Sequence, residues 1–413
     1  GVVEMFSRNR LDITWTDLFY GLYSCFFGKR GDLQQSDLDG LWNSEGITLS
    51  TVRTAWDALL TELNLPKGSE VLCSSVNIPD MFMILENHGL VPVPLDLQLD
   101  TMSVSEDDWK HSISERTKLI LVTHLLGSRN PLDAMFQFAE QYRIPVVEDC
   151  AQAFESLSYQ GDQRALASLF SFGPIKTRSS LGGAVAIIRD QKLREQVRTR
   201  CCQYPRQSTL GFLLKTVKYS AMKMLSVPFF YAIFVRICPL FGKSHDQVIN
   251  GAVLGLKGDD YYKVLRMQPA IPLLLLLKRQ LLKTDNTSLE SRREAGEEVL
   301  SYISEEVLVL GRSAEIRTWW QFCIVSHDPK ELIQHLRTHK FDATDGSSRL
   351  SPVSPPKGYS VASRTEYAMH NVVYVPAYAH MGESSRKRLA SVINMRPELL
   401  VTFSTLQNHL SGA

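Results

Sequence analysis

The sequence VVEDCAQA at residues 146–153 decides the fold of this 413-residue chain. Its apolar run ends in a carboxylate, Asp149, and a second apolar run at residues 169–172 ends in a serine-led turn that is followed by Lys176. An acid at the end of one buried strand and an amine just past the next suit pyridoxal phosphate. The acid would keep the pyridine nitrogen protonated, and the lysine amine would bind the aldehyde covalently.

Two further features make this pattern specific. Ser171 precedes Lys176 in the spacing Ser-Phe-x-x-x-Lys, and Gly182-Gly183 then leads into the apolar residues 184–187. Together with Glu-Asp-x-Ala-Gln-Ala, these segments resemble, in order and spacing, the DegT/DnrJ/EryC1/StrS sugar aminotransferase family of fold-type I pyridoxal-phosphate enzymes. Taken alone, a strand-end Asp usually caps a helix or a turn, and a single Lys is usually solvated surface.

The resemblance implies a role for each matched residue. Lys176 would bind the cofactor covalently, and Asp149 would pair with its pyridine nitrogen. Gln152 would lie against the ring or its 3-hydroxyl group, and Ser171 would bind the phosphate. Dehydratases of the family carry histidine in place of this lysine, so Lys176 indicates transamination.

The turn expected to bind the phosphate departs from the family pattern. A glycine-rich turn before a helix offers backbone N–H groups and a helix dipole to a phosphate, but Val52 stands at the position of the glycine. Valine disfavours a positive φ, so we expect Thr51 and Arg53 to contact the phosphate directly. An ordinary helix N-cap is the alternative for this turn.

Three more positions differ from the family or allow two interpretations. Ile78 stands where the family stacks an aromatic residue on the cofactor, so it would cover the ring without the stacking energy of about 0.5–1.5 kcal/mol. His124 would lie near the ring, or would be a structural histidine with its hydrogen bonds satisfied. Val264 replaces the family's asparagine, which reaches the phosphate of the neighbouring subunit.

Strands alternate with helical segments at residues 107–113, 132–142 and 191–201, which predicts a mainly parallel sheet with helices on both faces. This is an α/β, type I aminotransferase fold, with ligands at the carboxyl ends of the strands. Farther on, residues 283–310 predict a charged helix and residues 315–325 a strand of a smaller α+β C-terminal domain. The predicted parts are an N-terminal arm (1–45), a large cofactor-binding domain (46–207), an apolar insertion (208–262), a helical connection (263–310) and the small domain (311–413).

The insertion at residues 208–262 is rich in large apolar side chains interleaved with Lys and Arg. Its apolar run is too short and interrupted for a transmembrane span, and Pro228 would break a helix. Cations beside aromatic residues suit an interfacial element lying on a bilayer, while packing on the small domain or across a dimer interface is the alternative. For the N-terminal arm we favour packing on its own domain or a partner subunit over membrane contact.

Composition excludes some classes of protein. A formal net charge of +1 argues against a general nucleic-acid binder. The seven cysteines are scattered without metal-ligand spacing, which predicts free thiols in a reducing compartment and no metal site. The first residues do not have the form of a signal peptide, so we expect a cytoplasmic protein or one held peripherally on the cytoplasmic face of a membrane.

These features predict a pyridoxal-phosphate-dependent aminotransferase. By resemblance it would be a homodimer that moves an amino group from an amino acid to the keto group of a nucleotide-linked sugar. The apolar insertion suggests a membrane-associated or lipid-linked acceptor. Two rivals stay open. One is another pyridoxal-phosphate reaction on the same fold, such as condensation of an amino acid with an acyl donor, and the other is a catalytically degenerate, membrane-associated scaffold.

Overall fold

The apolar runs predicted as buried strands form one seven-stranded sheet in the computed structural model of the chain. The structure describes residues 4–29, 31, 33, 35–253, 260–346 and 349–411. The strands are β1 (Gly46–Leu49), β2 (Glu70–Ser74), β3 (Val76–Asn77), β4 (Val91–Leu95), β5 (Leu97–Gln98), β6 (Ser103–Val104), β7 (Thr117–Thr123), β8 (Ser128–Arg129), β9 (Val146–Asp149), β10 (Ala167–Ser171), β11 (Ala184–Ile188), β12 (Ile316–Arg317), β13 (Phe322–Val325), β14 (Ser351–Pro352) and β15 (Val372–Val375). The helices are α1 (Trp15–Phe27), α2 (Gln35–Gly40), α3 (Val52–Leu63), α4 (Pro79–Asn87), α5 (Glu106–Ser112), α6 (Asp133–Gln141), α7 (Gln191–Cys202), α8 (Thr209–Leu225), α9 (Pro228–Ile237), α10 (His245–Val253), α11 (Tyr261–Leu265), α12 (Ile271–Leu281), α13 (Thr287–Ser301), α14 (Pro329–Thr338), α15 (Ser363–His370), α16 (Glu383–Asn394) and α17 (Phe403–Ser411).

The sheet has the strand order β1-β11-β10-β9-β7-β2-β4. Strand β11 is antiparallel to both of its neighbours, and the other strands run parallel to one another. The carboxyl ends of β1, β10, β9, β7 and β2 therefore lie at one edge of the sheet, together with the amino end of β11. We call this the carboxyl edge, and it is where ligands bind in sheets of this kind.

Helix α3 shows how the sequence builds one face of the sheet. Thr51 caps it, because its hydroxyl oxygen accepts a hydrogen bond of 3.0 Å from the N–H of Thr54. Trp56 and Leu59 then project from one side and pack, fully buried, on strands that include β9 and β11. The helix thus begins at the carboxyl edge, directly after β1.

The C-terminal part of the chain has its own apolar core. Strands β13 and β15 pair antiparallel, and their buried residues pack against α14 and α16. Ile324 and Val373 of the strands belong to the same buried cluster as Leu332 and Leu389 of the helices. The predicted α+β character of this region is therefore correct, while the predicted domain boundaries stay predictions.

Two predicted elements differ in extent from the structure. The helix predicted over residues 283–310 is too long, because α13 ends at Ser301 and the N–H of Leu308 already bonds to the carbonyl oxygen of Val401. The strand predicted over residues 315–325 is divided into β12 and β13. The chain turns between them at Trp319, whose φ is 52°.

The described part of the predicted insertion is helical; its residues 254–259 lie outside the described residues. Helix α8 ends before Pro228, as expected for a proline that cannot continue a helix. Among the described residues, no single helix has the length and apolar character to cross a bilayer. Thr209–Leu225 and Pro228–Phe241 pass that test only as a pair, and they are bent by 99° relative to each other.

Candidate active site

Asp149 ends β9 at the carboxyl edge and is almost fully buried, with 2 % of its surface exposed. One carboxylate oxygen accepts a hydrogen bond of 3.0 Å from the N–H of Ala151, and the other accepts one of 2.8 Å from the side-chain amide of Asn77. Burial raises the pKa of Asp149, while these two donors and the amine of Lys176 act in the opposite direction. Asp149 is thus a buried carboxylate whose hydrogen-bond donors are all uncharged.

Lys176 lies in the turn that follows β10. Its Nζ atom is 4.2 Å from the centroid of the Trp320 ring, and the indole N–H of Trp320 donates a hydrogen bond of 3.0 Å to the carbonyl oxygen of Ile175. Burial lowers the pKa of Lys176 to about 8, against the opposing effect of the Asp149 carboxylate. A substantial fraction of this amine is therefore neutral, and so nucleophilic, near neutral pH.

The predicted phosphate-binding turn lies at the same edge, but two of its polar groups are already bonded. The hydroxyl oxygen of Thr51 caps α3, and a guanidinium nitrogen of Arg53 lies 2.6 Å from a carboxylate oxygen of Asp80. Val52 is the first residue of α3 and has no positive φ. The backbone conformation at residue 52 therefore does not require glycine. The backbone N–H groups at the N-terminus of α3 can still bind an anion.

Ser171 and Gln152 also lie beside the carboxyl edge. Ser171 is the last residue of β10, is partly exposed, and accepts a hydrogen bond of 3.4 Å from the N–H of Gly173. The side-chain carbonyl of Gln152 accepts a hydrogen bond of 2.7 Å from the N–H of Leu126, which anchors it to the turn after β7. The structure thus brings both residues to the ends of the strands that carry Asp149 and Lys176.

Ile78 and His124 occupy different surroundings. Ile78 precedes α4, is partly exposed, and packs against the core cluster that contains α3. The Nε2 atom of His124 lies 3.0 Å from a carboxylate oxygen of Glu148, on the side of β9 opposite to Asp149 because side chains alternate along a strand. This is the arrangement of a structural histidine.

His124, Glu148 and Cys150 bring a nitrogen, an oxygen and a sulfur atom within 4.8 Å of one another. The second carboxylate oxygen of Glu148 already accepts hydrogen bonds from Ser168 and from the N–H of Asp162. Burial raises the pKa of the Cys150 thiol well above its usual range. A metal ion would bind the thiolate form of Cys150. Hydrogen bonding that stabilises β9 therefore explains this cluster better than a metal site does.

Sequence reasoning missed Asn77 and Trp320. Asn77 is not among the residues that the sequence pattern singles out, yet its amide donates hydrogen bonds to Asp149 and to the hydroxyl of Thr123. A polar residue placed just after a buried strand, opposite an expected carboxylate, was the available signal. Trp320 was assigned to a continuous strand, and nothing in its local pattern predicts that it would lie over Lys176.

The residues at the carboxyl edge fit pyridoxal phosphate. A buried carboxylate bonded only to uncharged donors suits a cation such as a protonated pyridine nitrogen, because the pair offsets part of the burial cost of each charge. A lysine amine with a lowered pKa at the same edge suits an aldehyde. The N-terminus of α3, which follows β1 at the same edge of the sheet, suits a phosphate.

Comparison with known proteins agrees with this geometry. The model of the DegT/DnrJ/EryC1/StrS aminotransferase family matches residues 40–211, which carry both Asp149 and Lys176. That segment of the chain, somewhat under half of its length, is similar to this family. The match ends at the start of α8, so the region predicted as an insertion begins where the family pattern stops.

One curated protein similar to this chain is the UDP-4-amino-4-deoxy-L-arabinose–oxoglutarate aminotransferase of Shewanella sediminis. It is 28 % identical over 172 residues, which are 41 % of this chain and 44 % of the relative. The chain thus matches less than half of the length of that relative.

Solved structures confirm the predicted fold over nearly the whole chain. Helicobacter pylori PseC, an aminotransferase involved in the biosynthesis of pseudoaminic acid, superposes with a TM-score of 0.66 at 15 % identity, covering 95 % of this chain and 99 % of PseC. Escherichia coli GDP-4-keto-6-deoxy-D-mannose-3-dehydratase, solved with bound hydrated pyridoxal phosphate, superposes with a TM-score of 0.65 at 16 % identity, covering 94 % and 100 %. The α/β aminotransferase fold predicted from the sequence is therefore present.

Proposed function

We propose that this protein is a pyridoxal-phosphate-dependent aminotransferase that moves an amino group from an amino acid to the keto group of a sugar. The observation that carries the proposal is the placement of both residues at one edge of the sheet, where Asp149 ends β9 and Lys176 lies in the turn after β10, the parallel neighbour of β9. The S. sediminis relative is named for a nucleotide-linked amino sugar and oxoglutarate. We therefore infer a nucleotide- or lipid-linked keto sugar as the acceptor and glutamate as the donor.

Each residue has a defined task in this reaction. Pyridoxal phosphate, when bound, supplies an electron sink that makes the Cα proton of the amino donor acidic. Asp149 would hold the pyridine nitrogen in its protonated form, and Lys176 would hold the cofactor covalently in the resting enzyme. The Nζ atom of Lys176, when free, would take the proton from Cα of the donor and deliver it to the C4′ atom of the cofactor, and in the second half of the reaction it would carry a proton in the opposite direction. Its lowered pKa suits both directions of this transfer.

Trp320 positions the amine of Lys176 for this proton transfer. The ring lies against the amine at 4.2 Å, and its hydrogen bond to Ile175 ties it to the lysine turn itself. An aromatic face stabilises the protonated amine and excludes water from one side of it. The contact therefore keeps the amine aimed at the carboxyl edge in either protonation state.

The test is a single-turnover reaction of the purified protein loaded with pyridoxal phosphate. We expect the visible absorption of the bound cofactor to change on addition of glutamate, with release of one equivalent of 2-oxoglutarate. Lys176→Ala should abolish both signals, while Lys192→Met, an exposed lysine on α7, should leave them unchanged. Release of coenzyme A from an acyl donor without 2-oxoglutarate would support amino acid condensation instead, and absence of cofactor absorption would support the scaffold.

We also propose that the protein lies on the cytoplasmic face of a membrane. Helix α1 carries an exposed stripe of four aromatic residues spaced four apart, Trp15, Phe19, Tyr23 and Phe27, each between 43 % and 64 % exposed. The other side of α1 packs on α8, and a Cβ on Gly21 would lie 3.6 Å from Thr216. The arm does pack on its own chain, as predicted, but it leaves this aromatic face uncovered.

The described part of the insertion adds a second exposed apolar face beside the first. Its exposed apolar residues include Leu210, Leu214, Val217, Met224, Phe229, Phe230, Ile237, Leu240 and Phe241. Residues 196–245 contain eight Lys or Arg and no Asp or Glu. Monomeric soluble proteins rarely expose so large an apolar surface, and aromatic residues among cations favour the headgroup region of an anionic bilayer.

Liposome flotation tests this surface. We expect the protein to float with vesicles that contain phosphatidylserine, and less with vesicles of phosphatidylcholine alone. Phe19→Ser with Phe27→Ser should reduce flotation at least tenfold, while Tyr142→Ser with Met395→Ser, two exposed apolar residues elsewhere, should not. Unchanged flotation of the stripe variant, or conversion of a dimer to a monomer by it, would show that a bilayer does not cover this face.

A homodimer completes the proposal. It rests on the family resemblance, in which type I active sites lie between two subunits. Light scattering in detergent-free buffer should give about 93 kDa, twice the chain mass of 46.7 kDa. A mass of one chain in the presence of saturating pyridoxal phosphate would contradict this part.

A further inference from the structure

Lys215 comes from α8, just outside the segment that matches the family. Its side chain nevertheless reaches the candidate active site. The Nζ atom lies 3.3 Å from the position that a Cβ on Gly182 would occupy, in the segment that joins the Lys176 turn to β11. The glycine thus leaves room for the tip of this lysine.

Gly182 and Gly183 lie beside the N-terminus of α3. The N–H of Gly183 donates a hydrogen bond of 2.9 Å to the carbonyl oxygen of Ser50, the residue that precedes the helix cap. The amine of Lys215 is therefore held near the end of α3 where uncapped N–H groups and the positive end of the helix dipole are found.

The charged groups that act on Lys215 are all cationic. Burial lowers its pKa, and the neighbouring charges of Lys218 and Arg53 lower it further. Arg53 is already paired with Asp80, whereas the described residues place no carboxylate in an ion pair with Lys215. A partly buried amine beside two cations and a helix N-terminus is electrostatically unfavourable until an anion binds there.

We propose that Lys215 binds a phosphate oxyanion at the N-terminus of α3, so that α8 supplies a basic residue of the active site. An ammonium group offers three donors to phosphate oxygens as a compact charge. Val264, which stands where the family resemblance predicts a phosphate-binding asparagine, has no side-chain donor. Lys215 provides a donor from within the same chain.

Two sources of phosphate share this chemistry. One is the phosphate of pyridoxal phosphate, and this source rests on the proposed function. The other is the diphosphate of a nucleotide- or lipid-linked sugar. Both would place negative charge between α3 and α8, and the probes chosen below separate them.

The experiment compares wild type with Lys215→Met, which keeps the length of the side chain and removes its charge. The probes are pyridoxal phosphate, pyridoxal, UDP and inorganic pyrophosphate, and dissociation constants are measured by calorimetry. We expect Lys215→Met to weaken at least one phosphate-bearing probe tenfold or more and to leave pyridoxal unchanged. Loss for pyridoxal phosphate alone identifies the cofactor phosphate, and loss for UDP and pyrophosphate identifies the substrate diphosphate.

Two further variants separate binding from folding. Lys215→Arg keeps the charge and should recover most of the affinity, while Lys192→Met on α7 should change nothing. Without any anion, Lys215→Met should unfold at the same temperature as wild type or higher, because it removes a partly buried charge for which the described part of the chain provides no carboxylate partner. With pyrophosphate or pyridoxal phosphate, wild type should gain more in unfolding temperature than the variant does.

Equal affinity of wild type and Lys215→Met for all four probes, within twofold, would overturn the proposal. So would a lower unfolding temperature of Lys215→Met without ligand, accompanied by equal loss for pyridoxal. Binding of pyrophosphate through Lys215 in a chain that binds no pyridoxal phosphate would contradict the proposed function and still support this site. The aminotransferase function and the Lys215 phosphate site can therefore be refuted independently of each other.

Discussion

The side-chain amide of Asn77 donates a hydrogen bond of 2.8 Å to the carboxylate of Asp149 and a second of 3.1 Å to the hydroxyl of Thr123. It thereby joins β3, β7 and β9 at the carboxyl edge. A buried carboxylate without hydrogen-bond donors destabilises the fold. The hydrogen bond from Asn77 therefore holds Asp149 in one orientation at the carboxyl edge. Asn77, which the sequence pattern did not single out, thus supports Asp149, which it did.

Asn77→Leu should destabilise the fold by about 1–3 kcal/mol, because it leaves one oxygen of a buried carboxylate without its donor. It should also raise the pKa of Asp149, since the hydrogen bond from Asn77 favours the charged form. Urea unfolding at pH 7 measures the first effect. Asn394→Ala, which removes an exposed amide hydrogen bond, is the control, and equal losses for the two variants would refute the role of Asn77.

The amine of Lys176 should become reactive at a lower pH than an ordinary lysine. Burial lowers its pKa to about 8, so the neutral fraction rises about tenfold per pH unit below that value and levels off above it. Acetylation by limiting acetic anhydride, followed by peptide mass mapping, measures this fraction without cofactor. The Lys192 peptide is the internal reference.

Asp149→Asn should move this reactivity profile to a lower pH. The Asp149 carboxylate raises the pKa of Lys176, so its removal leaves the effect of burial unopposed. A profile that stays in place, or moves to higher pH, would show that the two side chains do not share a cleft.

Asp342 should be essential to the packing of the chain's N-terminus and α9 on the C-terminal part. It is fully buried and bonds to Arg8, Tyr231 and Arg337. Asp342→Asn removes one of the two carboxylates that pair with Arg8, leaving Asp246 as the other, and should cost about 1–3 kcal/mol. Asp345→Asn, an exposed neighbour, should change the free energy of unfolding by less than about 0.5 kcal/mol.

The contribution of Asp342 should also depend on pH. Its partners, among them His245 and Arg8, hold the pKa of this carboxyl well below its usual range, outweighing the opposite effect of burial. Its contribution is therefore fully present above the unfolded pKa, about 3.9, and is lost as the pH falls through the folded value. Urea midpoints between pH 2 and pH 6 should converge for wild type and Asp342→Asn toward the acid end.

Gly296→Ala should destabilise the protein although alanine is the better helix former by about 1 kcal/mol. A Cβ at this position of α13 would lie 2.2 Å from Cγ of Trp319, so the indole must move, at a cost of about 1–3 kcal/mol. The movement would also shift Trp320 away from Lys176. Gly40→Ala, where a Cβ meets nothing within 4 Å, should be neutral or stabilising.

The sequence predicted the parts of the site that depend on local pattern. Asp149 and Ser171 end strands that follow from their apolar runs, and the ends of parallel strands necessarily meet at one edge. For the turn before α3, the sequence left open an ordinary N-cap as the alternative to phosphate binding, and Thr51 is that cap. These residues lie at the strand ends and at the start of α3, as the alternation of strands and helices and the capping preference of threonine predict.

The remaining features depend on contacts between distant segments. Trp320 reaches Lys176 only because the chain reverses at Trp319 with a positive φ, which no propensity predicts for tryptophan. Lys215 reaches Gly182 only because α8 packs back along α1. His124 was left between two interpretations, because the deciding partner, Glu148, lies on another strand.

The central claim is that Lys176 is the residue that holds pyridoxal phosphate. The most direct measurement is to incubate the purified protein with pyridoxal phosphate, reduce it with borohydride, digest it, and locate the added mass by peptide mass spectrometry. We predict one modified peptide, containing residue 176, with occupancy near one per chain, and no such peptide from Lys176→Ala. Modification spread over surface lysines, with residue 176 unmodified, would contradict the account.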